Sequence, residues 1–306
     1  MKFRRPRELS ENIEDRRGAG PQRGGRGMTA AGLGGAGGLA GIIALLVAFC
    51  GGGGVANLSP GADVSLGGAS NAGTSLEAPL APEDDPQLYE AQLASVVLDN
   101  SQFFWEEVFA ENGLQWRDAT MVLYDSLTPT GCGQGDAGMG PFYCSLDDGI
   151  YLDLTFWSVL NRQFGADGDF AQAYVISHEV AHHVQNLLGI SEEVRRLGSQ
   201  NPADRNALSV AQELQADCFA GVWAESVYTT GGNESAAAAD VLIEIDSANI
   251  RDAIEAAEAV GDDTIQLRST GTINQDTWTH GSSDQRVDWF LRGFESGDPA
   301  ACDTFS

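Results

Sequence analysis

The chain has 306 residues, with 44 acidic and 17 basic side chains and a formal net charge of −27. That length holds one catalytic-size domain and some additional segments. The acidity argues against nucleic acid and anionic lipid as partners, because both are held by basic surfaces.

Charge is unevenly spread along the chain. Residues 1–27 carry eight basic side chains (Lys2, Arg4, Arg5, Arg7, Arg16, Arg17, Arg23 and Arg26) and four acidic ones. Residues 28–50 carry none, and their apolar heart runs from Ala40 to Phe49. The segment is long enough to span a bilayer. A basic stretch ahead of it would stay in the cytoplasm, with everything after it outside. A cleaved signal peptide fits less well, since the basic region is long and Phe49-Cys50 makes a poor cleavage site. Arg4-Arg5 and Arg16-Arg17 resemble twin-arginine export signals, but no apolar region follows promptly. Residues 51–85 are rich in Gly, Ala, Ser, Asn and Pro and read as a flexible tether. The expected layout is a cytoplasmic tail over 1–27, a single membrane helix over 28–50, a linker over 51–85 and a periplasmic or extracellular domain over 86–306. Beyond residue 27 nine basic residues remain, all Arg, against forty acidic ones. This suits a soluble surface, and a cationic substrate would suit it too.

The domain opens with a predicted helix from Pro86 to about Glu111, whose apolar face includes Leu88, Leu93, Val96, Val97 and Phe104. Residues Ala119–Tyr124 read as a strand. Phe142–Cys144 and Gly149–Leu154 read as an antiparallel pair around a Ser145–Asp148 turn. A short helix is expected over Thr155–Phe164. Ser235 to about Ala259 reads as a helix rich in Ala and acidic residues on the outside of the domain. Another helix follows over Asp284–Phe294. Cys50 lies in the apolar segment, so Cys132, Cys144, Cys218 and Cys302 form an even set. An oxidising compartment would pair them. Three pairings are possible. Cys132–Cys144 is the expected one, because it closes a short Gly-rich loop, and Cys218–Cys302 then remains.

The chemistry concentrates in Ser177-His178-Glu179-Val180-Ala181-His182-His183-Val184-Gln185. At ~100° per residue His178 and His182 lie one turn apart on one helix face. Two imidazoles so placed can grip one Zn²⁺, and Glu179 beside them can act as general base toward water. His183 lies about 140° from His178 and points off that face. A helix over about Asn206–Tyr228 carries Glu213 and Asp217, again four apart. Glu213 supplies the third metal ligand, and Asp217 can accept the free ring N–H of His178. An otherwise apolar helix would not bury two carboxylates without partners.

These blocks, together with Gly140-Pro141-Phe142-Tyr143-Cys144, Ile150–Asp153, Thr279-His280-Gly281-Ser282-Ser283, Gln285-Arg286 and Cys302–Phe305, resemble the bacterial neutral zinc metallopeptidase family. One departure is Ala181, where many members carry glycine. The resemblance implies a membrane anchor and peptidase activity. It also implies an α+β, zincin-like catalytic domain, mainly helical with a small sheet ahead of the metal helix. The Glu213-to-Asp217 spacing is similar to that of the thermolysin-like gluzincins. In such enzymes a late histidine donates to the oxyanion, which points to His280; capping the next helix or filling a polar core site is the other reading of that residue. The resulting reading is a membrane-anchored zinc peptidase with one Zn²⁺ on His178, His182 and Glu213. Glu179 and His280 are catalytic, and a peptide or protein is the substrate. Its rival is a tethered binding or assembly factor that keeps zinc for its fold. The intact Glu179 counts against that rival, since a structural site needs ligands but no base.

Overall fold

The computed structural model describes residues 1–18, 85–164, 168–230 and 243–306. Its central element is the metal-motif helix α3 (Asp169–Leu187), which follows α1 (Leu88–Glu111) and the short α2 (Phe156–Val159). Helices α4 (Ile190–Gln200), α5 (Arg205–Thr230), α6 (Ser247–Ala259), α7 (Asp262–Thr270) and α8 (Ser283–Ser296) come after it. α3 packs against α1, α5 and α6, so it buries residues nearly all round, from Phe170 through Ala173, Ile176 and Val180 to Val184. A helix apolar on every side has to be interior.

A small sheet lies on this helical core. Its strand order is β2 (Ile13–Asp15), β3 (Thr120–Leu123), β7 (Gly149–Leu152), β6 (Phe142–Cys144). β3 runs parallel to both β2 and β7, whereas β6 is antiparallel to β7 and forms the edge. A two-stranded hairpin of β4 (Leu127–Thr130) and β5 (Gly133–Asp136) stands apart. The domain is therefore mixed α+β, mainly helical with a small sheet, as expected.

Two helices meet at unusually close range. A Cβ built on Gly221 of α5 would lie 2.0 Å from the Phe290 carbonyl oxygen, and one on Gly293 of α8 would lie 1.9 Å from that of Cys218. Only glycine permits this backbone-to-backbone crossing. It brings Arg286 of α8 onto the α5 face that carries Asp217. Both disulfides form as expected, Cys132–Cys144 and Cys218–Cys302. The second ties the C-terminus to α5. There Gln215 donates to the Cys302 carbonyl at 3.0 Å and Thr304 to that of Ala211 at 2.6 Å.

Two expectations are corrected. Residues 1–18 are not a separate tail. β2 pairs with β3 in the main sheet, and β1 (Lys2–Phe3) pairs with β8 (Ile243–Glu244). Ser10 is held by Ser95 and Asp99 of α1, and Arg17 bridges Asp15 at 2.7 Å and Asp85 at 2.8 Å. Arg16 likewise pairs with Glu14. The acidic residues thus neutralise their basic neighbours locally, and the backbone is left to join a sheet. A single membrane crossing over 28–50 would put residues 1–18 and the domain on opposite faces, whereas the β2–β3 pairing needs them on one. The anchor segment and nearly all of the tether lie outside the described residues. Among the described residues no helix is long and apolar enough to cross a membrane.

The second correction concerns the Ala-rich helix. Its expected first part lies outside the described residues. The observed α6 begins at Ser247, behind an Asp246 capping box. It is not peripheral: Ile250, Ala253, Ala256 and Ala257 are buried. Small side chains here let helices approach closely, and the acidic Glu255 and Glu258 face out.

Candidate active site

α3 and α5 bring His178, His182 and Glu213 together. One ligand atom from each falls within 4.8 Å of the others. His178 Nε2 lies 3.2 Å from Glu213 Oε2, and His182 Nε2 lies 3.4 Å from Glu213 Oε1. A tetrahedral zinc at ~2.1 Å from each donor would set those donors ~3.4 Å apart. Two neutral imidazoles and one carboxylate also form a catalytic donor set that leaves a fourth position open. The residues present therefore fit the ion.

Each ligand histidine is held from behind. His178 donates through Nδ1 to Asp217 Oδ1 at 2.8 Å. His182 donates through Nδ1 to Gln185 Oε1 at 2.9 Å. Both bonds fix the tautomer that leaves Nε2 facing the metal position. Gln185 is buried and in turn donates to the Gln212 carbonyl at 2.7 Å and to Gln215 Oε1 at 3.0 Å. Asp217 is wholly buried. It accepts from the Tyr174 hydroxyl at 2.6 Å and from Arg286 Nε and Nη2, each at 2.8 Å. Burial alone would raise its pKa, but Arg286 and His178 override this and hold the carboxyl at about 2. Burial would likewise lower His178, yet the Asp217 charge lifts it to about 9. A metal ion bound there would take the place of that proton.

Glu179 is buried beside the two histidines and lines the cleft. Burial pushes its carboxyl above the ordinary range, while His182 and His178 pull the other way. Among the described residues no donor holds it, so it stays available to accept a proton. His280 lines the same cleft from the loop between α7 and α8. Its Nδ1 lies 3.2 Å from Asp262 Oδ1. Asp262 also accepts the backbone N–H groups of Thr279, His280 and Gly281 at 2.8, 2.7 and 3.1 Å. Burial would lower the His280 pKa, but Asp262 and then Glu213 raise it, which favours the donor form. His183 is turned away, with Nδ1 at 3.0 Å from the Tyr143 hydroxyl and Nε2 on the Arg117 carbonyl.

The family model described as "Putative neutral zinc metallopeptidase" matches residues 1–305. The chain belongs to that family. Among relatives of this chain is "Uncharacterized protein YpfJ" of Escherichia coli (strain K12). It is 42% identical over 303 residues, 98% of this chain and 97% of the relative. "Uncharacterized protein Rv2575" of Mycobacterium tuberculosis (strain H37Rv) is 46% identical over 187 residues, 61% of this chain and 62% of the relative. No solved structure matches the chain.

Four residues of the site carry no assignment from the sequence: Gln185, Arg286, Tyr174 and Asp262. Gln185 had a usable signal, since it lies three residues past His182 on a helix, where side chains are neighbours. Tyr174 had a similar one, four residues before His178. Arg286 stood in a motif block with nothing to give it a partner, and Asp262 had no signal, because both reach the site only through packing of α7 and α8.

Proposed function

We propose that this chain hydrolyses peptide bonds with one zinc ion held by His178, His182 and Glu213. The observation that carries the reading is the convergence of those three ligands with Glu179 on the wall of one cleft of about 1430 Å³. Zinc bound there supplies a Lewis acid and lowers the pKa of its water to ~7. Glu179 takes the proton from the attacking water and delivers it to the leaving amine. Its burial supports that role, since a carboxyl raised toward neutrality is a better base. His280, oriented by Asp262, donates to the oxygen on which charge develops. The edge strand β6 lines the cleft through Phe142 and Tyr143. An extended substrate can pair with it as a further strand.

Cleavage of a generic unfolded protein by the zinc-loaded chain tests the proposal. Turnover should vanish with a chelator and return with zinc. Glu179→Gln should keep the metal and lose turnover. Full activity in Glu179→Gln would refute the assignment, and metal retention with no turnover in the wild type would favour a binding factor.

The same reading has the domain working outside the cytoplasmic membrane. The two disulfides support an oxidising compartment. Residues 1–18 must then share the domain's side. A cysteine at Glu8 should react with a membrane-impermeant thiol reagent in intact spheroplasts. Labelling only after lysis would refute this.

A further inference from the structure

The cleft has the opposite charge character from the molecule that contains it. The chain carries 44 acidic and 17 basic residues, yet the cleft is lined by two carboxylates and four guanidinium groups. An even spread would put more than twice as many carboxylates as basic groups there. Both carboxylates, Glu179 and Glu213, belong to the metal site, and no aspartate among the described residues lines the cleft. Arg286 is committed to Asp217. The other three are exposed on the cleft wall: Arg195 on α4, Arg205 at the start of α5 and Arg268 in the last turn of α7.

The local bonding of Arg195 and Arg205 leaves both able to bind an anion. Arg195 donates through Nη1 to the Ser145 hydroxyl at 2.7 Å, which directs it toward the turn after edge strand β6. Arg205 donates through Nε to the Gly198 carbonyl at 2.9 Å. Both contacts are to neutral oxygens, and neither arginine forms an ion pair among the described residues. Each keeps further N–H donors in the planar fork that matches a carboxylate.

Resting on the peptidase reading, we infer that the cleft selects peptides that carry a carboxylate close to the scissile bond, on an Asp or Glu side chain or at the C-terminus. The net charge of −27 does not oppose this at close range. At physiological salt, charges beyond ~8 Å are largely screened, so the groups lining the cleft dominate. Among the described residues a cationic peptide would find no free carboxylate in the cleft, because Glu179 and Glu213 are engaged in the metal site.

Matched fluorogenic peptides test this on the zinc-loaded full chain. One core sequence is made with Glu, Gln or Lys flanking the cleaved bond, each as the free acid and as the C-terminal amide. Glu peptides should exceed Gln peptides in kcat/KM by about tenfold or more, mainly through KM, with Lys peptides poorest. Added salt should compress the ratio. Arg195→Gln and Arg205→Gln should each move it toward one. A preference that disappears on amidation assigns the C-terminal carboxylate, and one that survives assigns the side chains. A second arm needs no turnover: fluorescence anisotropy of the same peptides on zinc-loaded Glu179→Gln should give the same order. Equal binding of Glu and Gln peptides, or a preference for Lys, overturns the inference. If Glu peptides bind best but the wild type cleaves none, the peptidase reading fails and the charge preference stands.

Discussion

Two aspartates each hold a histidine at this site, and they do so by different means. Asp217 sits wholly buried between helices and is satisfied by side chains: His178, Tyr174 and both Arg286 nitrogens. Asp262 sits at the start of α7 and is satisfied mostly by backbone, the three successive N–H groups of Thr279, His280 and Gly281. The first arrangement is a charge pair inside a low-dielectric core, where a missing partner is very costly. The second is a loop wrapped on an anion, closer to solvent, where the lost interaction is mainly orientation of His280. The metal end of the site is therefore tied to fold stability, whereas the His280 end can vary with less effect on folding.

The largest effect should follow from Arg286→Met. It leaves Asp217 charged and buried with only His178 and Tyr174, which should cost ~3–5 kcal/mol in urea unfolding. Pairing it with Asp217→Asn should recover much of that loss. If Arg286→Met alone costs under ~1 kcal/mol, the core pair does not behave as a buried charge pair.

His280→Ala should lower kcat and kcat/KM together by ~10²–10³, with zinc content and Tm nearly unchanged. Asp262→Asn should lower kcat in the same direction and also cost ~1–3 kcal/mol of stability, since it disturbs acceptors for buried N–H groups. A destabilised His280→Ala with normal kcat would remove His280 from catalysis and make both aspartates structural.

Gln185→Leu removes the acceptor that orients His182 and should weaken zinc binding ~10–100-fold. Competition with a chromogenic chelator reads this directly. Unchanged affinity would show that packing alone orients His182.

The smallest contrast is in acid stability of the metal-free chain. Both aspartates have folded pKa values below their ordinary ones, Asp217 at about 2. A depressed carboxylate contributes stability that is fully present above its unfolded pKa of ~3.9 and is lost as pH falls through the folded value. Urea midpoints between pH 5 and 2 should therefore fall with pH, and Asp217→Asn should flatten the part below pH 4. A wild-type slope retained in Asp217→Asn would assign it to other groups.

What the sequence determined by itself was local. Spacing of four on a helix put His178 with His182 and Glu213 with Asp217, because helical geometry alone decides which side chains share a face. The β6–β7 pair was legible as two short apolar runs around a four-residue turn, and the even cysteine set with its short Gly-rich loop pointed to both disulfides. Tertiary structure decided everything that depends on which face meets which element. Residues 1–18 read as a basic tail because charge counts say nothing about a strand completed by Met121 and Leu123, more than a hundred positions away. α6 read as peripheral because its buried alanines have too little apolar surface to signal a core face. Arg286 reached Asp217 only because Gly221 and Gly293 let two helices touch. The four arginines of the cleft come from four separate helices, so their convergence left no trace in any one segment. Periodicity encodes the geometry of one element, and only packing in three dimensions brings distant elements to one site.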